Sequence, residues 1–286
     1  MTHFAAIVPP FLSHLRAFEA IAWQLQQHGH RVTFIQQADV GALLVLPAAG
    51  FAAIGTDTHP PGSLAAVVRR AASPGPFGIR RVIADMAAST ELFCREAPAV
   101  LRALEVDAVL ADQMEPAGAL LAEHLGLPFV SIACALPVMP WRYRATDWGE
   151  QLNRHSSGVY DRLMRPHGEV IERYCRAFGL ARRTSLSDCL SPLLQISQTV
   201  EGFDFPRQAL PAHFHAVGPL RRPLQAEGEL DLSIDRARPL VFASLGTLQG
   251  HRYGLLRNIA RACRRLDVQL LIAHCGGLDA AAAARL

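Results

Sequence analysis

The chain has 286 residues, of which 50% are hydrophobic and 19% are charged, and its formal net charge at pH 7 is +3. A chain of this size and hydrophobicity buries one large core or two modest ones, which excludes a disordered or fibrous protein. Basic and acidic residues are interspersed without a basic stripe, so nucleic acid is not an expected partner. All basic side chains other than histidine are arginines, because the sequence has no lysine. Schiff-base chemistry and a P-loop are therefore excluded, since both need a lysine amine.

The cysteine pattern and the amino terminus indicate the compartment. The six cysteines are scattered without a C-x-x-C pair, so neither a metal site nor a disulfide framework is predicted: Cys94, Cys134, Cys175, Cys189, Cys263 and Cys275. Free thiols fit a reduced, cytoplasmic compartment. The amino terminus lacks a basic region before its apolar run, and no apolar stretch is long enough to span a bilayer. We expect a cytoplasmic protein that is soluble or rests on a membrane surface.

The first predicted strand-helix-strand unit is FAAIVPPFLSHLRAFEAIAWQLQQHGHRVTFI. Residues 4–8 are an apolar run of strand length, apolar residues then recur at helical spacing, and Gly29 ends the helix before a strand over 31–35. The first turn carries PPFLSH and lacks G-x-G-x-x-G, so it offers no glycine cradle for a pyrophosphate. This argues against a nucleotide-dependent oxidoreductase and leaves His14 as the notable side chain of the turn.

Two further units of the same kind follow. The stretch DAVLADQMEPAGALLAEHLGLPFVSIAC predicts a strand over 107–111, a helix over 116–124 and a strand over 128–134. Near the end, a strand over 240–244, the turn LGTLQGH, a helix over 253–266 and a strand over 268–273 form the third unit. Alternating elements of this kind predict an α/β fold with mostly parallel sheets covered by helices on both faces.

Composition divides the chain into two predicted Rossmann-like domains. Residues 221–238 are polar and flanked by prolines, which is typical of a linker. We therefore expect a domain over 1–220 and the start of a second one over 239–286. A single strand-helix-strand unit cannot bury both faces of its sheet, so this second domain is predicted to be incomplete within the chain.

Two side chains are predicted to meet at one sheet edge. His14 follows the first strand and Asp112 ends a later one, and ligands of open α/β sheets bind at the carboxyl ends of the strands. A carboxylate on one ring nitrogen fixes the histidine tautomer and supports the imidazolium, which makes such a dyad a general base. Two plain alternatives stay open: a surface histidine, and an aspartate that caps the following helix.

Weaker patterns occur elsewhere. SLGT ends a strand before a helix, so the backbone N–H groups of Ser244, Gly246 and Thr247 are candidates to meet an anionic diphosphate. The aromatic cluster MPWRYRATDW, with Trp141, either lines an apolar ligand pocket or closes the core. VVRRAASPGPFGIRRVI interleaves arginines with apolar residues and is interpreted as a solvated loop, with contact to anionic lipid as the alternative.

Several segments resemble the two-domain, UDP-sugar-dependent glycosyltransferases of the GT-B fold, family 1. HFAAIVPPFLSHLRAFEAIAWQLQQHGHRVTFI resembles their amino-terminal motif, and VLADQMEPAGALLAEHLGLPFVSIACALP, FHAVGPL and FASLGTLQGHRYG resemble the bacterial zeaxanthin glucosyltransferases among them. The resemblance implies a catalytic pair, His14 and Asp112. It also implies acceptor contacts in the first domain and diphosphate contacts in the second: Ser13, Gln113, Met114 and Trp141 for the acceptor, and Ser244, Gly246 and Thr247 for the donor.

The function implied by the resemblance is an inverting transfer of glucose from UDP-glucose to the ring hydroxyls of zeaxanthin in carotenoid biosynthesis, with UDP-glucose as co-substrate and no cofactor or metal. The family's main donor motif lies further along than Leu286, so its sugar contacts cannot be assigned to residues of this chain. Two alternatives follow: a carotenoid- or lipid-binding module without transferase activity, and a transferase of the same family acting on another apolar hydroxylated acceptor.

Overall fold

The computed structural model of the chain describes residues 1–73, 75–138, 147–200, 202–204, 210–223 and 232–286, and the side chains of 75–77 and 147–157 are not described. Trp141 lies outside the described residues. The chain divides into two compact units: the first extends to Arg222, and the second comprises Pro223–Leu286 together with Ala71–Ser73. The predicted domain limits at 220 and 239 stay predictions.

A seven-stranded parallel sheet forms the centre of the first unit, in the order β3-β2-β1-β4-β5-β6-β7. Its strands are β1 (His3–Ile7), β2 (Arg31–Gln37), β3 (Gly50–Ile54), β4 (Ala108–Asp112), β5 (Phe129–Ala133), β6 (Gln195–Ser197) and β7 (Phe214–Ala216). The order reverses between β1 and β4, as in doubly wound folds that bind ligands at this switch point.

Helices follow most of the strands, as the alternating pattern predicts. They are α1 (Leu12–Gln27), α2 (Leu64–Ala72), α3 (Gly75–Ala103), α4 (Ala117–His124) and α5 (Asp147–Phe178). Two separate clusters of buried apolar side chains accompany the sheet, one including Phe93 and the other Phe18. At Gly118 of α4 an added Cβ would lie 2.5 Å from the Cβ of Ala111, so this helix packs on β4 at a distance that only glycine permits.

The second unit contains a two-stranded parallel sheet of β8 (Leu240–Ser244) and β9 (Gln269–Ala273). Its helices are α6 (Gly246–Gln249), α7 (Tyr253–Cys263) and α8 (Ala280–Ala283). The predicted α/β class, the three strand-helix-strand units and the parallel pairing are confirmed. The strands start and end within one residue of the predicted limits in the second and third units.

The short helical stretch before SPGPFG and the helix from about Arg80 to Leu104, which the sequence also predicts, are confirmed, whereas the loop interpretation of the stretch that contains both is wrong. The arginine-containing stretch interpreted as a solvated loop is helical, with Arg69 and Arg70 at the end of α2 and Arg80 and Arg81 in α3. The prolines and glycines after Ser73 indicated a loop, but the described residues from Gly75 onwards form the first turn of α3, where proline costs no intrahelical hydrogen bond. Arg70 forms a two-bond ion pair with Asp85, 2.7 Å for each nitrogen–oxygen contact, so it is not a free lipid-binding charge.

Candidate active site

The site is built where β1 and β4 lie side by side. The two strands pair directly, with Ile7 opposite Ala111, so the turn after β1 and the last residue of β4 lie at the same sheet edge. His14 is the third residue of α1, and Asp112 is the last residue of β4. The structure therefore brings together the two residues that sequence reasoning placed at strand ends, at the switch point of the sheet.

His14 and Asp112 form a hydrogen-bonded pair. Nδ1 of His14 lies 2.7 Å from Oδ2 of Asp112. A carboxylate only accepts hydrogen bonds, so in the neutral imidazole the proton is on Nδ1 and the lone pair on Nε2. The Asp112 side chain is fully buried while that of His14 is 15% exposed, so the carboxylate is shielded and the imidazole is accessible. This arrangement is that of an oriented general base.

The second carboxylate oxygen of Asp112 is also fixed. The backbone N–H of Met114 donates to Oδ1 over 2.9 Å, which sets the plane of the carboxylate. Cys134, directly after β5, is buried beside the pair. Burial, followed by the nearby charge of Asp112, raises the pKa of the Cys134 thiol well above its ordinary value. Sequence reasoning missed Cys134, because only the pairing of β4 with β5 brings residue 134 next to residue 112.

The predicted acceptor contacts differ in their surroundings. Ser13 is exposed on the first turn of α1, next to His14. Gln113 is buried, and its amide donates to the carbonyl of Leu136 and accepts from the N–H of Val138, both over 2.9 Å. Both ends of that amide thus hold the segment after β5 in place. Contact of Ser13, Gln113, Met114 or Trp141 with an acceptor stays a prediction.

A buried polar network begins one turn beyond the dyad. Glu115 accepts hydrogen bonds from the hydroxyls of Ser89 and Thr90 on α3, each over 2.7 Å. Nε2 of the fully buried His167 on α5 lies 2.9 Å from the same Thr90 hydroxyl. Burial raises the pKa of Glu115 to about 7 and lowers the pKa of His167 to about 4. Sequence reasoning missed this network, which joins α3 and α5 to the turn before α4.

Glu115→Gln is expected to change the pH dependence of stability. Between pH 4.5 and 7 the folded chain keeps the Glu115 proton and the unfolded chain loses it, so stability falls as the pH rises. Glutamine cannot ionise, so the variant does not lose this stability as the pH rises. The free energy of unfolding of the variant, minus that of the parent chain, should therefore increase by about 3 kcal/mol between pH 4.5 and 8. Urea unfolding of both proteins at these pH values measures the difference.

The matched control is Glu169→Gln, because Glu169 is an exposed carboxylate on the same α5 that carries His167. Its stability difference from the parent chain should not vary with pH. Parallel pH profiles for the Glu115 variant and the parent chain would show that Glu115 ionises in the folded chain at its ordinary pKa.

The predicted diphosphate residues lie at the end of β8. Ser244 is exposed, and its hydroxyl donates to the carbonyl of Ala273 and accepts from the N–H of Gly246 over 3.2 Å. Gly246 has a φ of +73°, which the turn into α6 requires, and Thr247 is exposed. The N–H of Gly246 is therefore engaged within the turn in this conformation. Binding of a diphosphate here stays a prediction.

Comparison with known proteins shows the family. No protein-family model matches the chain. A zeaxanthin glucosyltransferase of Pantoea ananas is 50% identical over 291 residues, which cover 97% of this chain and 67% of that protein. One from Pseudescherichia vulneris is 44% identical over 302 residues, 99% of this chain and 69% of that protein.

The chain belongs to the zeaxanthin glucosyltransferase family. It spans about two thirds of the length of these relatives. As a member of this family it is a glycosyltransferase, so the enzyme class implied by the sequence resemblance is confirmed.

Solved structures confirm the fold of this zeaxanthin glucosyltransferase family member. A glycotransferase of kitacinnamycin superposes with a TM-score of 0.73 at 15% identity, covering 98% of this chain and 67% of that one. A calicheamicin glycosyltransferase superposes with a TM-score of 0.67 at 17% identity, covering 99% and 66%. The predicted GT-B fold class is confirmed. Among the described residues, no helix combines the length and apolarity that crossing a bilayer needs.

Proposed function

We propose that the chain transfers glucose from UDP-glucose to the ring hydroxyls of zeaxanthin with inversion at the anomeric carbon, as a step of carotenoid biosynthesis. The observation that carries the proposal is the 2.7 Å contact between His14 Nδ1 and Asp112 Oδ2. It leaves Nε2 as a base for a hydroxyl proton. The names of the two relatives support glucose and zeaxanthin as the transferred group and the acceptor.

The proposed step needs one proton acceptor and one leaving group. Nε2 of His14 takes the proton of the acceptor hydroxyl while the hydroxyl oxygen forms a bond to the anomeric carbon. The bond from that carbon to the diphosphate oxygen breaks, and UDP leaves with the electron pair. Asp112 stabilises the imidazolium that forms, since its buried carboxylate lies against Nδ1. Positive charge on the sugar develops in an oxocarbenium-like transition state, as in glycoside hydrolysis.

The two units are assigned different ligands in this proposal. The first unit binds the acceptor, and its proposed contacts are Ser13, Gln113, Met114 and Trp141. The second binds UDP-glucose, with backbone groups at Ser244, Gly246 and Thr247 on the diphosphate. No metal or cofactor enters the step. We further propose that the enzyme works in the cytoplasm, at the membrane surface where an apolar acceptor is held.

The test is to incubate the chain with UDP-glucose and micellar zeaxanthin and to detect zeaxanthin mono- and diglucoside by mass spectrometry. We expect both products, and we expect none with zeaxanthin whose ring hydroxyls are methylated. Folded chain that binds zeaxanthin and forms no glucoside would contradict the transferase proposal for this chain and favour a carotenoid-binding module. Glucosides of other hydroxylated apolar acceptors at higher kcat/KM would contradict zeaxanthin as the substrate.

A further inference from the structure

Three potential metal ligands lie together at the edge of the first sheet. His14, Asp112 and Cys134 each offer one ligand atom, and these atoms lie within 4.8 Å of one another. They come from positions after β1, at the end of β4 and after β5, which are three neighbouring strands of the sheet. The ligands are far apart in sequence, which is why no ligand spacing in the sequence indicated them. The neighbouring strand ends thus place a nitrogen of His14, an oxygen of Asp112 and the sulfur of Cys134 close together.

The donor set and its dimensions suit zinc. Zn²⁺ binds histidine nitrogen, carboxylate oxygen and cysteine sulfur, usually in a tetrahedron whose ligand atoms are about 3.3–3.6 Å apart. The pair Nδ1 and Oδ2, now 2.7 Å apart, would have to separate by well under an ångström. The remaining separations are at most 4.8 Å and would close by about 1 Å, a change within reach of side-chain rotation. Mg²⁺ is disfavoured, because it prefers oxygen ligands in an octahedron.

The site is accessible on one side. The side chain of His14 is 15% exposed, whereas that of Asp112 is fully buried and Cys134 is buried. A metal ion would therefore enter past His14 and keep water as a fourth ligand. The two buried ligands lie on or directly after central strands of the sheet, so their backbone positions are rigid.

We propose that this cluster is an inhibitory Zn²⁺ site, in which His14, Asp112 and Cys134 hold the ion in place of the hydrogen bond between His14 and Asp112. The inhibition rests on the proposed function. On binding, the thiol loses its proton to solvent, and the ion replaces the proton on Nδ1. The neutral imidazole then carries its proton on Nε2. Because Nε2 is the atom that must accept the hydroxyl proton, the metallated dyad has no base.

The experiment uses Co²⁺ as a spectroscopic probe of zinc sites on the whole chain. We expect one equivalent of Co²⁺ to produce a thiolate-to-cobalt charge-transfer band in the near ultraviolet and intense tetrahedral d–d bands, both removed by added Zn²⁺. Cys134→Ala should abolish the charge-transfer band and weaken Co²⁺ binding at least about 10-fold. Cys134→Ser is measured in parallel, since it keeps the side-chain volume if the alanine variant folds poorly.

Cys275→Ser is the matched control, because Cys275 is an exposed free cysteine in the second unit. It should leave the cobalt spectrum unchanged. A charge-transfer band that survives in both Cys134 variants, or that disappears with Cys275, would overturn the proposal, as would the absence of any cobalt band in the parent chain. These readouts do not depend on glucose transfer, so they separate failure of the metal site from failure of the proposed function.

The inhibitory effect is measured separately. In the parent chain, Zn²⁺ should lower the rate of glucoside formation and a chelator should restore it. In Cys134→Ala, the same Zn²⁺ concentration should change the rate much less, each protein being compared with its own metal-free rate. If the cobalt spectra are as expected but Zn²⁺ does not change the rate of glucose transfer, the inhibitory role is overturned.

Discussion

Replacing His14 with alanine is expected to lower kcat for glucose transfer by about 10²–10⁴-fold, which is the usual contribution of a positioned general base. The loss should fall on kcat rather than on KM for zeaxanthin, because proton removal is needed in the transition state and contributes little to acceptor binding. The His14 side chain is partly exposed, so its truncation leaves no large cavity. Quantitative mass spectrometry of the glucosides over a range of zeaxanthin concentrations gives both constants.

His28→Ala is the control for this experiment, since His28 is an exposed histidine directly after α1, the helix that carries His14. Its kcat should equal that of the parent chain. Circular dichroism and thermal unfolding of the His14 variant establish that it is folded. A kcat of the folded variant within about threefold of the parent value would remove His14 from the proton transfer. Loss of a general base lowers kcat by at least about 10²-fold, so another group would then have to be the base.

Sequence periodicity predicted the elements that surround the site. The apolar run of β1 and the helical spacing after it are local properties, and so is the run that becomes β4. The neighbourhood of β1 and β4 is not local, because Asp107, the residue before β4, lies 100 positions after Ile7. Strand order depends on how the intervening helices pack. The sequence therefore predicted contact between His14 and Asp112 only if β1 and β4 are neighbours. The pairing of Ile7 with Ala111 shows that they are.

The parts of the site that escaped prediction are those assembled from distant segments. Thr90 and His167 are 77 positions apart in the sequence. Neither residue has a sequence pattern that indicates its place in a buried network with Glu115. Cys134 is 120 positions from His14 and shows no metal-ligand spacing. Gln113 was predicted as an acceptor contact from the family resemblance, which gave no indication that both ends of its amide bind backbone of the next segment. Local spacing carries no information about such contacts.

The loop interpretation of the stretch after Ser73 failed for a related reason. Proline and glycine are the strongest local indicators of turns, and three of them follow Ser73 within three residues. Gly75 and Pro76 open α3, where the first turn tolerates both residue types. The ion pair of Arg70 with Asp85 joins α2 to α3. Tertiary contacts of this kind override local propensity.

Asp112→Asn is expected to reduce kcat more than Asp112→Ala does, because asparagine imposes the wrong tautomer on His14. The N–H of Met114 donates to Oδ1, so the amide oxygen of asparagine must occupy that position and its NH₂ must face Nδ1. Nδ1 then has to accept, and the proton moves to Nε2. The same inversion in a serine-protease triad costs about 10⁴-fold in kcat.

Alanine removes the orienting carboxylate but imposes neither tautomer, so a fraction of the His14 rings keeps the lone pair on Nε2 and the loss should be smaller. The tautomer itself is measured by the ¹⁵N chemical shifts of the His14 ring, a readout that needs no turnover. We expect a proton on Nδ1 in the parent chain and on Nε2 in Asp112→Asn. Retention of the Nδ1 proton in the asparagine variant would contradict the fixed amide orientation. Equal kcat values for the two variants would show that Asp112 acts through its charge rather than through the tautomer.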